Sequence, residues 1–130
     1  MTRGTILVVD DDAAVLLTTA RVLERAGFET LTIGTPAEAL ELIGSEPVDV
    51  LLSDVVMPEM NGLELAAAVR ERHPGIEVVL MSGFTPAALV RHKLTDDGAP
   101  AILQKPVARD ELVAAVGAAV ARSRPHLAGN

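Results

Sequence analysis

The side chains best suited to chemistry in this 130-residue chain follow short apolar runs. Residues 10–12 are three consecutive aspartates after the first run, and Asp54, Ser82 and Lys105 each follow another. Two carboxylates about 4 Å apart repel by ~4 kcal/mol at an effective dielectric constant of roughly 20, and a hard divalent cation such as Mg²⁺ relieves that repulsion. A carboxylate beside Mg²⁺, a hydroxyl and an ammonium forms a site for phosphoryl transfer, in which the carboxylate oxygen attacks and the cations neutralise the phosphoryl oxygens.

Each of these residues also has an ordinary structural interpretation. Asp12 is as well suited to capping a helix as to chemistry. Asp54 and Ser82 are residue types found in turns, and Lys105 is a typical surface residue. The chemical interpretation therefore depends on whether the fold brings these side chains to one place.

Short apolar runs alternate with segments of helical periodicity along the chain. The runs are too short for helices and predict buried strands at 5–9, 29–33, 48–52, 76–80 and 101–103. Helices are predicted at about 15–26 before Gly27, from the Thr35-Pro36-Ala37-Glu38 capping box, at 62–72, at 85–93 and around 110–120. Five strand–helix units predict an α/β fold, a doubly wound parallel five-stranded sheet in one domain. Ligands of such sheets bind beyond the carboxyl ends of the strands, where the candidate residues fall.

Composition excludes several other classes of protein. The net charge is −7 with no basic cluster, which argues against nucleic acid and anionic membrane as direct partners. The chain has no cysteine and no apolar run of the ~20 residues that a membrane helix needs. No glycine-rich phosphate loop follows the first strand, so a nucleotide site is not supported. We expect a cytoplasmic domain.

A set of motifs shares one order and a placement at strand ends: Ile6-Leu7-Val8-Val9-Asp10-Asp11-Asp12, Asp54 with Met57-Pro58-Glu59-Met60-Asn61-Gly62, Met81-Ser82-Gly83, and Lys105-Pro106. In order and spacing these motifs resemble the receiver domain of two-component response regulators. The stretches 82–85 and 103–106 look most like receivers attached to hybrid sensor histidine kinases. The resemblance implies a flavodoxin-like (βα)5 fold with strand order 2-1-3-4-5. It covers residues 5 to about 121 of a single domain spanning 1–130, with residues 122–130 expected to be disordered.

The resemblance also implies a metal-dependent phosphorylation site. Asp54 would be the phospho-acceptor. Asp10 and Asp11 would hold Mg²⁺, or Mn²⁺ in its place, together with Asp54 and the backbone carbonyl of Val56. Ser82 would donate its hydroxyl to the phosphoryl group.

On the last strand, the resemblance assigns further roles. Lys105 would pair with a phosphoryl oxygen, and the bond between Lys105 and Pro106 is expected to be cis, which X-Pro bonds adopt at low cost. Ile102 stands where many receivers carry an aromatic residue that moves with the hydroxyl residue, here Ser82. An aliphatic side chain fills that space without a ring.

The function implied by the resemblance is that of a signalling domain rather than an enzyme. Asp54 would receive its phosphoryl group from a histidine kinase or a histidine phosphotransfer protein, and phosphorylation would alter a protein-interaction surface. That surface would comprise the predicted fourth helix, the last strand and the predicted fifth helix, and the same face could form a homodimer.

Two alternatives are compatible with parts of the sequence. Asp10-Asp11-Asp12-Ala13 also fits the start of haloacid-dehalogenase phosphatases, in which Asp10 would be the nucleophile and Asp12 the acid/base. That interpretation leaves Asp54 and the following loop without a role. The other alternative is a degenerate receiver that acts by binding alone, for which the aliphatic Ile102 is the only argument.

Overall fold

Five parallel strands form a single sheet in the computed structural model, which describes residues 2–83 and 101–123. The strand order is β2-β1-β3-β4-β5, which confirms the flavodoxin-like order that the resemblance to receivers implies. The strands are β1 (Thr5–Val9), β2 (Glu29–Ile33), β3 (Val50–Asp54), β4 (Glu77–Ser82) and β5 (Ala101–Gln104). The helices among the described residues are α1 (Ala13–Arg25), α2 (Pro36–Ile43), α3 (Gly62–Arg72) and α4 (Arg109–Arg122).

Helices cover both faces of the sheet, so the central strands are buried on both sides. Leu51 and Leu52 are consecutive on β3, and both are fully buried. Because side chains alternate along a strand, Leu51 packs with the core under α2 and α3, whereas Leu52 packs with the core under α1 and α4. This double burial explains why the strands read as continuous apolar runs.

The helix ends agree with the local signals in the sequence. Thr35 caps α2, with its hydroxyl accepting the Glu38 N–H at 3.3 Å, and Pro36 occupies the first helical position. Gly27 follows the end of α1 with φ +101°, a conformation that favours glycine. The α3 helix begins at Gly62 and ends at Arg72, before Pro74, as predicted.

Two strands end two residues later than the sequence predicts, and β5 ends one residue later, at Gln104. The predicted strands 48–52 and 76–80 are observed as Val50–Asp54 and Glu77–Ser82. The shift arises from parallel pairing, which continues to Asp54 opposite Met81 and to Ser82 opposite Gln104. Asp54 and Ser82 are therefore the last residues of their strands and not loop residues. Pairing with the neighbouring strand fixes the backbone of each.

Some sequence predictions lie outside the described residues. These are the helix predicted at 85–93 and residues 124–130 of the tail, for which disorder is predicted from residue 122; Arg122 itself is the last residue of α4. Among the described helices, none is long and apolar enough to cross a membrane.

Candidate metal centre at the carboxyl edge of the sheet

Three carboxylates meet where the central strands end. One oxygen from each of Asp10, Asp11 and Asp54 lies within 4.8 Å of the others. Asp10 directly follows β1 and Asp54 ends β3, and these two strands are hydrogen-bonded neighbours. Asp10 is 1% exposed, Asp54 is partly buried and Asp11 is exposed, so the three carboxylates differ in their access to solvent.

Both carboxylate oxygens of Asp10 have a partner. Asp10 Oδ1 accepts a hydrogen bond from the backbone N–H of Asp12 at 2.9 Å. Asp10 Oδ2 lies 3.2 Å from Nζ of Lys105. A buried carboxylate needs such partners, because an unpaired charge in the interior is costly.

Lys105 brings one ammonium to this group of carboxylates. Its Nζ lies 3.4 Å from Asp54 Oδ1 as well as close to Asp10. Burial by itself would lower the pKa of Lys105, but the carboxylates of Asp54 and Asp10 outweigh it and raise the pKa above its usual value. The ammonium is therefore charged at neutral pH.

The backbone places Lys105 firmly at the end of β5. The Lys105 N–H donates to the carbonyl of Ser82 at 2.7 Å, which extends the pairing between β4 and β5. The peptide bond between Lys105 and Pro106 is cis.

Asp54 is held in a less favourable electrostatic environment than Lys105. Burial raises the pKa of Asp54; the Lys105 ammonium opposes this, and the Asp10 carboxylate adds to it. The net pKa is above the usual value, although an ion pair alone would lower it. The pKa values of both partners are raised, because burial is the largest influence on Asp54, whereas Lys105 faces the carboxylates of both Asp54 and Asp10.

The chemistry of this donor set fits a hard divalent cation. All three candidate ligands offer carboxylate oxygens, without nitrogen or sulfur, as Mg²⁺ and Mn²⁺ prefer. A cation there would also oppose the rise in the pKa of Asp54 that burial and the Asp10 carboxylate cause. Val56, whose carbonyl is the predicted fourth protein ligand, lies two residues beyond Asp54 with its side chain 48% exposed.

The two predicted switch residues occupy neighbouring strands. Ser82 is fully buried and lies one position beyond the pairing partner of Asp54. Ile102 on β5 is paired with Leu80 and packs, partly buried, against the core under α2 and α3. Both are thus adjacent to the edge that carries the carboxylates.

Asp12 lies beside this centre but is turned away from it. Its Oδ1 accepts the N–H groups of Ala14 at 2.9 Å and Val15 at 3.2 Å, so it is the N-cap of α1. The phosphatase alternative requires Asp12 to exchange a proton with a substrate. A carboxylate occupied with capping a helix does not support that role.

Two residues that support Asp54 were missed as functional residues by the sequence analysis. Ser53 is fully buried, and its hydroxyl donates to the Asp54 carbonyl at 2.9 Å. Gly62 begins α3 so close to β3 that a Cβ there would collide with the same carbonyl. The available signal for Ser53 was its place between the apolar run 48–52 and Asp54. The contact of Gly62 depends on tertiary structure.

A family profile, related sequences and solved structures all point to one protein family. The profile of the family described as "Response regulator receiver domain" matches residues 6–117. The DNA-binding transcriptional regulator NtrC of Escherichia coli K12 is 39% identical over 122 residues, covering 92% of this chain and 25% of that protein. The sensor kinase CckA of Brucella abortus is 36% identical over 116 residues, covering 87% of this chain and 12% of that protein.

These relatives are much longer than this chain, which spans a quarter or less of their length. They include both a transcriptional regulator and a sensor kinase. The similarity therefore extends beyond the kinase-associated receivers that the sequence motifs favour.

Solved structures show the same architecture over nearly the whole chain. A CheY-like response regulator receiver domain protein from Methanospirillum hungatei has a TM-score of 0.80 at 30% identity, covering 91% of this chain and 94% of that one. A response regulator receiver domain protein from Clostridium thermocellum has a TM-score of 0.78 at 28% identity, covering 92% and 95%. With the profile match, the strand order and the acidic edge in agreement, the chain belongs to the response regulator receiver domain family of two-component signalling systems.

Proposed function

We propose that this chain accepts a phosphoryl group on Asp54 from the phosphohistidine of a histidine kinase or a histidine phosphotransfer protein. The observation that carries the proposal is the position of Asp54. It ends a central strand, its Oδ1 lies 3.4 Å from the Lys105 ammonium, and its carboxylate lies among those of Asp10 and Asp11. An anionic nucleophile beside a fixed cation and a candidate metal centre is suited to attack on phosphorus.

In the proposed transfer, an Asp54 oxygen forms a bond to phosphorus while the phosphorus–nitrogen bond of the donor breaks. The electron pair of that bond stays on the imidazole nitrogen, which leaves as histidine. Asp10, Asp11, Asp54 and the Val56 carbonyl would hold Mg²⁺, whose charge neutralises phosphoryl oxygens during the transfer, with Mn²⁺ as a substitute.

The remaining side chains act on the transferred group directly. Lys105 would leave its ion pair with Asp54 and donate to a phosphoryl oxygen, since phosphorylation removes the carboxylate charge that it now faces. Ser82 would donate its hydroxyl to another oxygen. Its buried backbone, paired with β5, links that movement to Ile102 and to the face formed by β5 and α4.

This face is the proposed output surface. A signalling domain needs a surface whose shape depends on the state of Asp54, and β5 with α4 is connected to Asp54 through Ser82 and Lys105. We propose that a protein partner or a second copy of the chain binds there, and that no nucleic acid binds directly, in keeping with the net charge of −7.

The proposal is tested by measuring the intact mass of the protein after incubation with acetyl phosphate and Mg²⁺. Mass is a suitable probe, because the chain has no Trp or Tyr to report the reaction by fluorescence. We expect one phosphoryl adduct that requires Mg²⁺ and is absent from Asp54→Asn. Asp11→Asn should form the adduct more slowly, because it removes a proposed metal ligand.

Asp12→Asn is the matched control for these variants. It removes an adjacent carboxylate of the same acidic run but keeps a residue that caps helices equally well. It should be phosphorylated to the same extent as the wild type. An adduct that persists in Asp54→Asn would contradict the acceptor assignment, and an unmodified wild type given a phosphorylated histidine donor would favour a receiver that acts by binding alone.

A further inference from the structure

The residue that caps α1, Asp12, also donates a hydrogen bond to the most buried carboxylate of the metal centre, that of Asp10. Asp12 has an extended backbone with φ −97° and ψ 112°, and its Oδ1 accepts the N–H groups of Ala14 and Val15. The N–H of the same residue donates to Asp10 Oδ1 at 2.9 Å. The side chain of Asp12 therefore holds the backbone conformation that sets the direction of its own N–H.

The cap of α3 uses the backbone N–H of its capping residue differently. At α3 the N–H of the capping residue Asn61 donates to Glu64 Oε1 at 3.0 Å, which closes a capping box within the helix. In α1 the equivalent third helical position is Val15, an aliphatic residue that cannot accept a hydrogen bond. The N–H of Asp12 is thereby left to bind Asp10.

We infer that Asp12 is a positioning residue for the metal centre, acting through its backbone N–H on Asp10. This inference rests on the proposed function, in which Asp10 is a metal ligand. Asp10 is 1% exposed, and its other oxygen lies 3.2 Å from Lys105, so the Asp12 N–H is the second fixed point that defines the plane of the carboxylate. Partners that orient metal ligands commonly change metal affinity when they are removed.

The role of the cap can be separated from the role of the charge. Asp12→Asn, Asp12→Ser and Asp12→Ala all remove the same carboxylate charge beside the metal centre. Asn and Ser still cap helices well, whereas Ala does not. A difference between Ala and the other two variants therefore reports positioning alone.

The experiment is a Mg²⁺ titration of the unphosphorylated protein, followed by backbone amide chemical shifts. We expect the dissociation constant of Asp12→Ala to exceed those of Asp12→Asn and Asp12→Ser by about tenfold, the lower end of the effects seen for groups that orient metal ligands. The amide signal of residue 12 should shift in Asp12→Ala and exchange faster with solvent, because its hydrogen bond to Asp10 is weakened.

Val15→Gln tests the inference without removing the cap. A glutamine at this position can accept the Asp12 N–H, as Glu64 accepts that of Asn61, and so compete with Asp10. This variant should also bind Mg²⁺ more weakly than the wild type. It keeps the inference testable if Asp12→Ala is too unstable to measure.

Thr35→Ala controls for a general effect of losing a helix cap. Thr35 caps α2, and its substitution should destabilise the protein by a similar mechanism while leaving Mg²⁺ affinity within about twofold of the wild type. Equal affinities for the Ala, Asn and Ser variants at position 12, or an equal loss in Thr35→Ala, would overturn the inference and leave the proposed function intact. A wild type that binds no Mg²⁺ would overturn both.

Discussion

At the amino edge of the sheet, one carboxylate is paired with one guanidinium, whereas at the carboxyl edge two carboxylates share one ammonium. Arg122 at the end of α4 lies 3.2 Å from Glu77 at the start of β4, and Asp49 accepts the Thr5 N–H at 2.8 Å. These contacts join elements that begin or end at that edge.

At the carboxyl edge, Lys105 serves both Asp10 and Asp54, and Asp11 lies near them with its carboxylate exposed to solvent. The consequence is visible in Asp54, whose pKa is raised by burial and by Asp10 despite the nearby ammonium. The difference between the edges indicates where stability has been given up for function. The buried Asp54 carboxylate, when ionised, disfavours the metal-free fold, and the same carboxylate is the proposed nucleophile beside the candidate metal ligands.

The largest expected effect comes from removing the shared cation. Lys105→Met leaves the buried Asp10 carboxylate without its ammonium partner and should lower the free energy of unfolding by about 2 kcal/mol. This is less than the cost of breaking a fully buried ion pair, because Lys105 is partly exposed to solvent. Folding raises the pKa of Lys105. The stability that its ion pairs give the wild type should therefore be fully present below the unfolded pKa of ~10.4, and it should be lost as the pH rises through the folded pKa. Urea unfolding followed by far-ultraviolet circular dichroism measures the change.

Glu77→Gln at the amino edge is the matched control for Lys105→Met. The Arg122 side chain is 56% exposed, so breaking this ion pair should cost less than about 0.5 kcal/mol. Adding Mg²⁺ should restore part of the stability of Lys105→Met and should not affect Glu77→Gln. Equal losses in the two variants would contradict the distinction between the edges.

A second comparison concerns backbone conformation. At the amino edge, the described residues with positive φ are glycines, such as Gly27 at +101°, whereas the carboxyl edge places Glu59 at +74° in the segment between Asp54 and α3. Gly27→Ala should destabilise the protein by about 1–2 kcal/mol, and Glu59→Gly should stabilise it by about 0.5–1 kcal/mol. Thermal unfolding of both variants measures the effects, and a destabilised Glu59→Gly would show that this segment carries no strain.

The smallest expected effect is a gain in stability when the proposed acceptor is neutralised. The folded state binds the Asp54 proton more tightly than the unfolded state does, so ionised Asp54 disfavours folding at pH 7. Asp54→Asn should therefore raise the melting temperature of the metal-free protein by about 2–5 °C. The gain should shrink as the pH falls through the folded pKa of Asp54 and disappear below the unfolded value of ~3.9, where the side chain is protonated in both states.

Asp49→Asn gives the matched comparison for Asp54→Asn. Asp49 accepts a backbone hydrogen bond, so neutralising it should leave the melting temperature unchanged or lower it. With Mg²⁺ present, the difference in melting temperature between Asp54→Asn and the wild type should shrink, because Mg²⁺ would bind the folded wild type at its carboxylates and stabilise it. A loss of stability in metal-free Asp54→Asn would contradict the proposed imbalance.

Local signals in the sequence predicted the helices well where a cap or a stop residue is present. Thr35 caps α2 and Gly27 follows α1, as expected, because the bonds and conformations that end a helix involve residues within a few positions of one another. The strand ends were less predictable. Pairing of Asp54 with Met81 is a contact between distant segments, so apolar composition placed the ends of β3 and β4 two residues too early.

Residue types and their spacing were enough to predict the succession of strands and helices, the accumulation of carboxylates at one edge and the motifs that identify the family. Within the three consecutive aspartates at 10–12, only the resemblance to receivers separated Asp10 and Asp11, as metal ligands, from Asp12; residue type left Asp12 equally suited to capping and to chemistry, because the three side chains are chemically identical. The tertiary structure decided this. Asp10 is buried against Lys105 and Asp11 faces solvent beside Asp54, whereas the start of α1 turns Asp12 toward the helix N–H groups. The physical reason is that the chain changes from strand to helix within these residues, so consecutive side chains of one type point to different partners.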